Sequence, residues 1–168
     1  MESTVNGLNT RVIFSAVRKG DKSLSDHLLG PDNENYVYPG DDITFDETVT
    51  NIGHGMDPKS GVFTAPISGI YSFSFSAIQQ FEAPETRGLV QVLKDGHVEF
   101  YIKEFSQPVR FVAENFEGLN HSWMMSLLQN EKVHLKLDEH SDGRIEVHNG
   151  PKYKIFVWFN GQLLDASE

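Results

Sequence analysis

The chain has 168 residues and a formal net charge of −10, from 24 acidic and 14 basic residues. This length fits one domain with a sizeable apolar core, and the lack of cysteine excludes disulfides and thiolate chemistry. Such an acidic surface repels phosphate backbones, so we expect no nucleic-acid partner. No apolar run reaches the length of a membrane span, so we also expect no membrane insertion.

The beginning of the chain is polar, and we predict a flexible N-terminal tail over residues 1–9 and a single domain over 10–168. The first ten residues, MESTVNGLNT, lack the apolar core of a signal peptide. We therefore expect either a cytosolic protein or one in which Met1 replaces a removed leader, and both compartments stay open.

Short apolar runs recur from Arg11 to the end of the chain, and turn-forming stretches such as PGDD, DPKSG and NGP separate them. No segment keeps a helical period of apolar residues. Many short strands at this spacing predict an all-β sandwich or barrel.

The predicted strands are of two kinds. KVHLKLD is one-sided, with Val133, Leu135 and Leu137 on the face opposite its polar residues. RVIFSAV, SWMMSLL and KIFVWF instead carry apolar residues on both faces. If these three strands share a sheet, its outer face needs a cover, which is either an oligomer interface or other residues of the same chain.

A series of spaced aromatic residues and glycines identifies a family. GIYSFSFSA alternates aromatic residues with serines, so its aromatic side chains share one face of a strand. The spaced residues are Phe45, Asn51, Met56, Phe63, Gly69, Tyr71, Phe73 and Phe75. This pattern resembles the signature of the C1q domain, the globular head of complement C1q in the C1q and tumour necrosis factor superfamily. VIFSAV, VLKDG, LLQNEKVHLKL and FNGQLL extend the resemblance over nearly the whole chain.

The match has three departures from the family pattern. Met56 stands where the family has an aromatic residue or leucine, a change that a packed position tolerates. Gln129-Asn130-Glu131 replaces a Gly-Asp turn, and GDKSLSDHLLGPDNEN is longer than the usual connection.

The resemblance implies a ten-stranded jelly-roll β-sandwich that assembles as a homotrimer. It also implies that the serine face of GIYSFSFSA points toward the trimer axis. The residues then expected at the trimer interface are Val12, Phe14, Ser72, Ser74, Met124, Phe156 and Trp158.

Catalytic signatures are absent from the sequence, which has no Gly-x-Ser-x-Gly elbow, phosphate-binding glycine loop or His-Glu-x-x-His motif, so we expect no enzyme. DEHSDG and GPDNEN lack the order of an EF-hand loop and are typical of turns. The resemblance instead implies that calcium, a possible cofactor, is held by Glu114 and Glu117 near the trimer apex, against the alternative that both are exposed loop carboxylates. Asn120-His121-Ser122 is a glycosylation sequon, meaningful in a secreted chain.

A predicted hairpin, KVHLKLDEHSDGRIEVH, brings two histidines together. Burying the apolar faces of both halves pairs Leu137 with Ile145 and Leu135 with Val147. His134 and His148 then face each other on the outer side. They would hold one metal ion or repel each other when protonated near pH 6, or else form a harmless exposed pair.

The resemblance implies a secreted, non-enzymatic recognition module. We expect a soluble innate-immune pattern-recognition protein that binds microbial surface polysaccharides in a lectin-like manner. Binding of anionic lipopolysaccharide would require a calcium bridge or a basic patch, for which Arg11, Arg18, Lys19 and Lys22 are candidates. The alternatives are a signalling ligand of the adipokine or synaptic-organiser type with a protein receptor, and an extracellular matrix or structural protein.

Overall fold

The structure, a computed structural model, describes residues 10–22, 36–81, 86–106 and 115–167. No helix in these ranges is long and apolar enough to cross a membrane. Their regular elements are strands, which are β1 (Ile13–Arg18), β2 (Tyr36–Val37), β3 (Glu47–Ile52), β4 (Met56–Asp57), β5 (Val62–Thr64), β6 (Gly69–Phe81), β7 (Thr86–Lys94), β8 (His97–Ser106), β9 (Asn115–Leu127), β10 (Lys132–Leu137), β11 (Arg144–Glu146), β12 (His148–Asn149), β13 (Lys154–Ile155) and β14 (Val157–Ala166).

The strands form a sandwich of two antiparallel sheets, which confirms the predicted fold class. The first sheet has the order β2-β11-β6-β14-β1-β3, with β9 paired to the other edge of β6, and the second has the order β4-β5-β10-β7-β8. Strands β12 and β13 form a separate pair. The described residues contain more than ten strands because some predicted strands are interrupted, as where β13 ends and β14 begins on either side of Phe156.

Strand β6 is the centre of the first sheet. Strand β9 pairs with it from Gly69 to Phe81, while β14 and then β11 occupy its other edge. Tyr71, Phe73 and Phe75 are buried, as their alternation with serine predicts. The long strand therefore fixes the inner and outer faces of the whole sheet.

Aromatic rings from both sheets meet in the core. The Phe14 ring lies 4.8 Å from that of Phe63 in the second sheet and 5.0 Å from that of Phe159 in β14. Phe73 packs 5.8 Å from both Phe63 and Phe159. The spaced aromatic residues of the sequence are thus the contacts that join one sheet to the other.

The spacing between Asn51 and Met56 has a local cause. The Asn51 side chain donates from Nδ2 to the Met56 carbonyl at 2.8 Å and accepts from the Met56 amide at 3.2 Å. These two bonds close the turn between β3 and β4, where Gly53 and His54 have positive φ. An asparagine fits because it offers both a donor and an acceptor on one short side chain.

The predicted hairpin of residues 132–148 does not form. Strand β10 pairs with β5 and β7 in the second sheet, whereas β11 pairs with β2 and β6 in the first. Its five apolar residues, Val133, Leu135, Leu137, Ile145 and Val147, are nevertheless buried. Strands on opposite sheets of a sandwich point into the same core, so burial alone cannot tell facing strands from paired ones.

Candidate functional site

The outer face of the first sheet is a five-strand surface formed by β3, β1, β14, β6 and β9. The strand register arranges its side chains in three rows. We call them the upper row (Ile52, Ile13, Gln162, Ser72, Met124), the middle row (Thr50, Ser15, Asn160, Ser74, Ser122) and the lower row (Glu47, Val17, Trp158, Ser76, Asn120).

The middle row consists of hydroxyl and amide side chains that bind one another. Ser15 Oγ donates to Asn160 Oδ1 at 2.5 Å, and Asn160 Nδ2 donates to Ser74 Oγ at 3.3 Å. In the lower row, Ser76 Oγ donates to Asn120 Oδ1 at 2.7 Å. Because these polar groups already pair within the sheet, covering them costs less than covering free hydroxyls.

The upper row adds apolar surface. Met124 is 68% exposed although it lies in the middle of a strand, and Ile52 is also exposed. The middle row and the upper row, apart from Ile52, line a shallow depression of about 560 Å³. The upper row is therefore the more apolar part of this face.

The outer face carries little charge. Within its three rows, the charged residue is Glu47 at the β3 edge, and the Lys19 ammonium pairs with its carboxylate. The same ammonium lies 5.8 Å from the centre of the Phe156 ring. The three rows hold a single carboxylate, which is paired. This face is therefore less charged than the average surface of a chain whose net charge is −10.

Four of the predicted interface residues lie on this face. Ser72, Ser74, Met124 and Trp158 are in its rows, and Phe156 is half-buried beside its edge.

Val12 and Phe14 were predicted at the interface, but both lie in the core with 2% exposure. The outer positions of β1 are Ile13 and Ser15, because β1 has apolar residues on both faces and its sequence pattern does not reveal its parity.

Sequence reasoning also missed five polar residues of the depression, which are Ser15, Thr50, Ser122, Asn160 and Gln162. The alternation of FNGQLL contained the signal for two of them. Phe159 and Gly161 are buried in the core, so the residues between and after them must point outward.

The predicted histidine pair is absent. His134 lies on the second sheet, where its Nε2 is 3.6 Å from Asp42 Oδ1. His148 lies in β12 and is 2% exposed. A shared metal ion or a mutual repulsion on protonation therefore has no geometric basis, because the two residues were assigned to one hairpin that does not exist.

The predicted calcium ligands fall in a region of which the structure describes little. Glu114 lies outside the described residues, and for Glu117 the backbone alone is described, paired with Gln79. Within the described ranges, no three His, Asp or Glu side chains form a metal cluster. Calcium binding by these two residues stays a prediction.

Two of the four candidate cations for a basic patch are already engaged. Arg18 donates to Thr44 Oγ1 and to the Tyr36 carbonyl, both at 3.3 Å, and Lys19 pairs with Glu47. Arg11 is exposed. The four residues therefore do not act as one free cationic surface.

The outer face of the second sheet offers a different kind of surface. Its register places Asp42, Lys136, Gln91 and Tyr101 in one row across β10, β7 and β8. Tyr101 is 43% exposed, and Gln91 Nε2 donates to Asp138 Oδ2 at 2.7 Å. The row therefore combines one exposed aromatic ring at β8 with the amide of Gln91 on the neighbouring strand and with charged side chains farther along.

Comparisons with known proteins agree with this architecture. A family model described as C1q domain matches residues 32–164. The globular domain of zebrafish complement 1qA protein has a TM-score of 0.57 and 19% identity, covering 93% of this chain and 99% of that one. Murine APRIL at pH 5.0 has a TM-score of 0.56 and 10% identity, covering 90% and 98% respectively. At these identities the two structures show a shared fold, which is the predicted jelly roll.

Proposed function

Because the chain belongs to the C1q-domain family of non-enzymatic recognition and ligand-binding modules, we propose that it is a homotrimeric, lectin-like protein of innate immunity. Its ligands in this proposal are polysaccharides on microbial surfaces. Members of the family typically form homotrimers and are typically extracellular, so we also propose that this chain acts outside the cell.

The observation that carries the proposal is the weakly charged outer face of the first sheet. Each copy brings a net charge of −10, so copies repel one another unless the surfaces that meet lack charge. The three rows meet this condition and add the exposed Met124 side chain. A homotrimer that covers this face supplies the cover that the two-sided strands require.

The second sheet then remains free to bind ligand. In a homotrimer the Tyr101 row occurs three times on one rigid body. Three weak sites that engage one repetitive polysaccharide raise the overall affinity by roughly 10²–10⁴ over a single site. In this proposal, a homotrimer with one weak sugar-binding site per copy therefore recognises repeated surface glycans.

A glycan array tests the function. Wild type is compared with Tyr101→Ala, which removes the exposed ring, and with Tyr153→Ala, a matched control whose ring is also exposed but lies in a turn. We expect wild type and the control to bind microbial polysaccharides and Tyr101→Ala to lose binding. Absence of glycan binding by wild type would contradict the proposal, and a positive cell-surface receptor screen would then favour the signalling ligand.

We also propose that calcium is a cofactor that Glu114 and Glu117 bind and that stabilises the homotrimer. The array and a melting curve are run with calcium and with chelator. We expect calcium to raise the melting temperature of wild type but not of the Glu114→Gln, Glu117→Gln double variant, because a ligand stabilises the state that binds it. An equal calcium shift in both proteins would remove these residues from the site.

A further inference from the structure

The small pair of strands β12 and β13 brings two lysines and an asparagine into one row. Asn149 pairs with Lys154 of β13, and a parallel bridge joins Asn149 to Lys22. Residues paired across neighbouring strands point to the same side, so the three side chains share one face. We infer that these three residues, the lysine row, form an anion-binding site whose ligand is an acidic polysaccharide. The choice of a polysaccharide rests on the function proposed above, whereas the binding of anions rests on the row itself.

The two ammonium groups of the row are not neutralised by neighbouring acids. Within the part of the chain that the structure describes, neither Lys22 nor Lys154 forms an ion pair with a carboxylate. Asp21 is exposed beside Lys22 in sequence and does not pair with it. Lys19, in contrast, pairs with Glu47. The row therefore keeps two positive charges available in a chain of net charge −10.

Uncharged acceptors hold Lys154 in place. Its Nζ donates to the Gly150 carbonyl at 2.9 Å and to Asn149 Oδ1 at 3.5 Å. An ammonium group has three donors, so the third remains for a ligand. The Gly150 amide in turn donates to the Tyr153 carbonyl at 2.9 Å, which closes the turn between β12 and β13. The turn thus positions the ammonium before a ligand binds, which lowers the entropy that binding costs.

The lysine row is accessible and separate from the outer face of the first sheet. Lys22, Lys154 and the turn residues 151–153 are exposed, and the Tyr153 side chain is 62% exposed. The members of the lysine row belong to none of the three rows of the outer face. A homotrimer built through that face therefore leaves the lysine row out of its interface and presents the site three times.

The spacing of the two charges favours a polysaccharide over a nucleic acid. Two strand spacings of about 4.8 Å each separate the backbones of Lys22 and Lys154 by about 10 Å. Duplex DNA carries one charge per about 1.7 Å, so it would lay most of its phosphates along the remaining acidic surface. A polysaccharide with uncharged sugars between its acidic ones brings few further charges. Its carboxylate or sulfate oxygens accept charge-assisted hydrogen bonds from the ammonium groups.

Binding to immobilised polymers tests the site. The probes are hyaluronate, which carries a carboxylate on alternate sugars, lightly sulfated dextran, neutral dextran and duplex DNA. We expect wild type to bind one or both acidic polysaccharides more tightly than neutral dextran or DNA, and the two acidic arms identify which oxyanion the row prefers. Lys22→Gln and Lys154→Gln should each weaken this binding roughly tenfold, because each removes a hydrogen bond from a charged donor.

Two double variants control for net charge and for structure. Lys59→Gln with Lys132→Gln removes two exposed lysines outside the row, so the net charge changes equally. Lys22→Arg with Lys154→Arg keeps both charges in the row. We expect both controls to bind the acidic polysaccharides as wild type does, and equal melting temperatures to show that all variants are folded.

The outcomes separate this site from the proposed function. A wild type that does not prefer acidic to neutral polymers overturns the site, as does equal weakening in the Lys59→Gln, Lys132→Gln control. Binding of DNA as tight as that of the polysaccharides overturns the choice of ligand. A wild type that binds acidic polysaccharides through the row, yet does not bind the glycan array through Tyr101, contradicts the proposed sugar site and leaves the lysine row intact.

Discussion

At two glycines of the first sheet, the neighbouring atoms decide whether a side chain could be accommodated. At Gly161 in β14, an added Cβ would lie against the Phe14 ring and 2.9 Å from Cδ1 of Phe73. At Gly118 in β9, the same atom would meet the flexible, exposed amide of Asn120. The two glycines are both in strands without positive φ, yet the first is enclosed by the core and the second is open.

Gly161→Ala should destabilise the domain because the added methyl group would overlap the Phe14 ring and crowd the Phe73 ring, so the rings or the strand would have to shift. Overpacking of this kind typically costs 1–3 kcal/mol, so we expect a loss of about 2 kcal/mol in the free energy of unfolding. Urea unfolding in a monomeric Met124→Glu background measures it without a contribution from assembly. Gly118→Ala is the control and should change stability by less than about 0.5 kcal/mol. Equal stability of the two variants would contradict the packing account.

Tyr71 gives the domain a defined sensitivity to alkaline pH. Burial raises the pKa of its hydroxyl above 10.0, and this hydroxyl donates to the Ile67 carbonyl at 2.6 Å. The unfolded chain therefore loses this proton at lower pH than the folded chain does. The stability that Tyr71 contributes is complete below about pH 10 and is lost as pH rises from there toward the folded pKa.

The Tyr71→Phe variant should show this in its pH profile. We expect wild type to lose free energy of unfolding more steeply above about pH 10 than the variant, which has no hydroxyl to titrate. At pH 8 the variant should be less stable by about 1 kcal/mol, because the Ile67 carbonyl loses its donor. Urea midpoints from pH 8 to pH 11 provide the measurement, and parallel profiles would show that Tyr71 is not the group responsible.

At the scale of elements, the sequence predicts the buried face of a strand far better than its partner strand. The alternation in β6 and in β10 gives the inner residues correctly, because one face of each is polar. In β1 both faces are apolar, and the prediction was displaced by one residue, to Val12 and Phe14.

Contacts between residues that are distant in sequence decide whether β10 and β11 pair with each other or join different sheets. The loop from Asp138 to Gly143 has good turn chemistry, which is compatible both with a hairpin and with a crossing from one sheet to the other. The decisive contacts are made by residues distant in sequence, such as Val92 opposite Leu135, and no local pattern records them. The same limit applies to the outer face, whose rows combine residues from five strands.

The loop from Asp138 to Gly143, which connects β10 in the second sheet to β11 in the first, is held in place by one buried hydroxyl. Ser141 Oγ accepts from the Leu89 amide of β7 at 3.0 Å and from Gln79 Nε2 of β6 at 3.1 Å, so it joins the second sheet to the first. Gln79 is fully buried and Ser141 nearly so. The hydroxyl thus supplies an acceptor to the buried Gln79 amide and to the partly buried Leu89 amide.

Ser141→Ala should leave both donors unsatisfied and cost about 2 kcal/mol of unfolding free energy, since a buried unpaired donor costs 1–3 kcal/mol. His140→Ala is the matched control, because its exposed side chain lies in the same loop. Urea unfolding compares the two, with the control expected within about 0.5 kcal/mol of wild type. A Ser141→Ala variant as stable as the control would show that the loop does not depend on this junction.

For the whole molecule, charge opposes the homotrimer that we propose to form through the outer face. Three copies bring a net charge of −10 each, and the rows of the outer face carry one carboxylate, which is paired. Repulsion between copies therefore comes from the remaining surface, where dissolved salt screens it.

Salt should strengthen the proposed homotrimer. Raising the ionic strength to about 0.15 M shortens the screening length to about 8 Å, which weakens repulsion between separated charges and leaves the apolar contacts intact. Sedimentation velocity at about 0.01 M and about 0.15 M salt should show a larger trimer fraction at the higher value. A trimer that dissociates with salt would indicate an interface held by ion pairs and would contradict a face of low charge.

The most direct test of the account is the molar mass of wild type and of Met124→Glu, measured by light scattering at micromolar concentration. Met124 is 68% exposed, so a charge there should disturb the covered face without unfolding the monomer; Val98→Glu, on the exposed side of the second sheet, is the control. We expect about 57 kDa for wild type and the control, three times 19.0 kDa, and 19.0 kDa for Met124→Glu. A wild type of 19.0 kDa, or a Met124→Glu variant that remains trimeric, would contradict it.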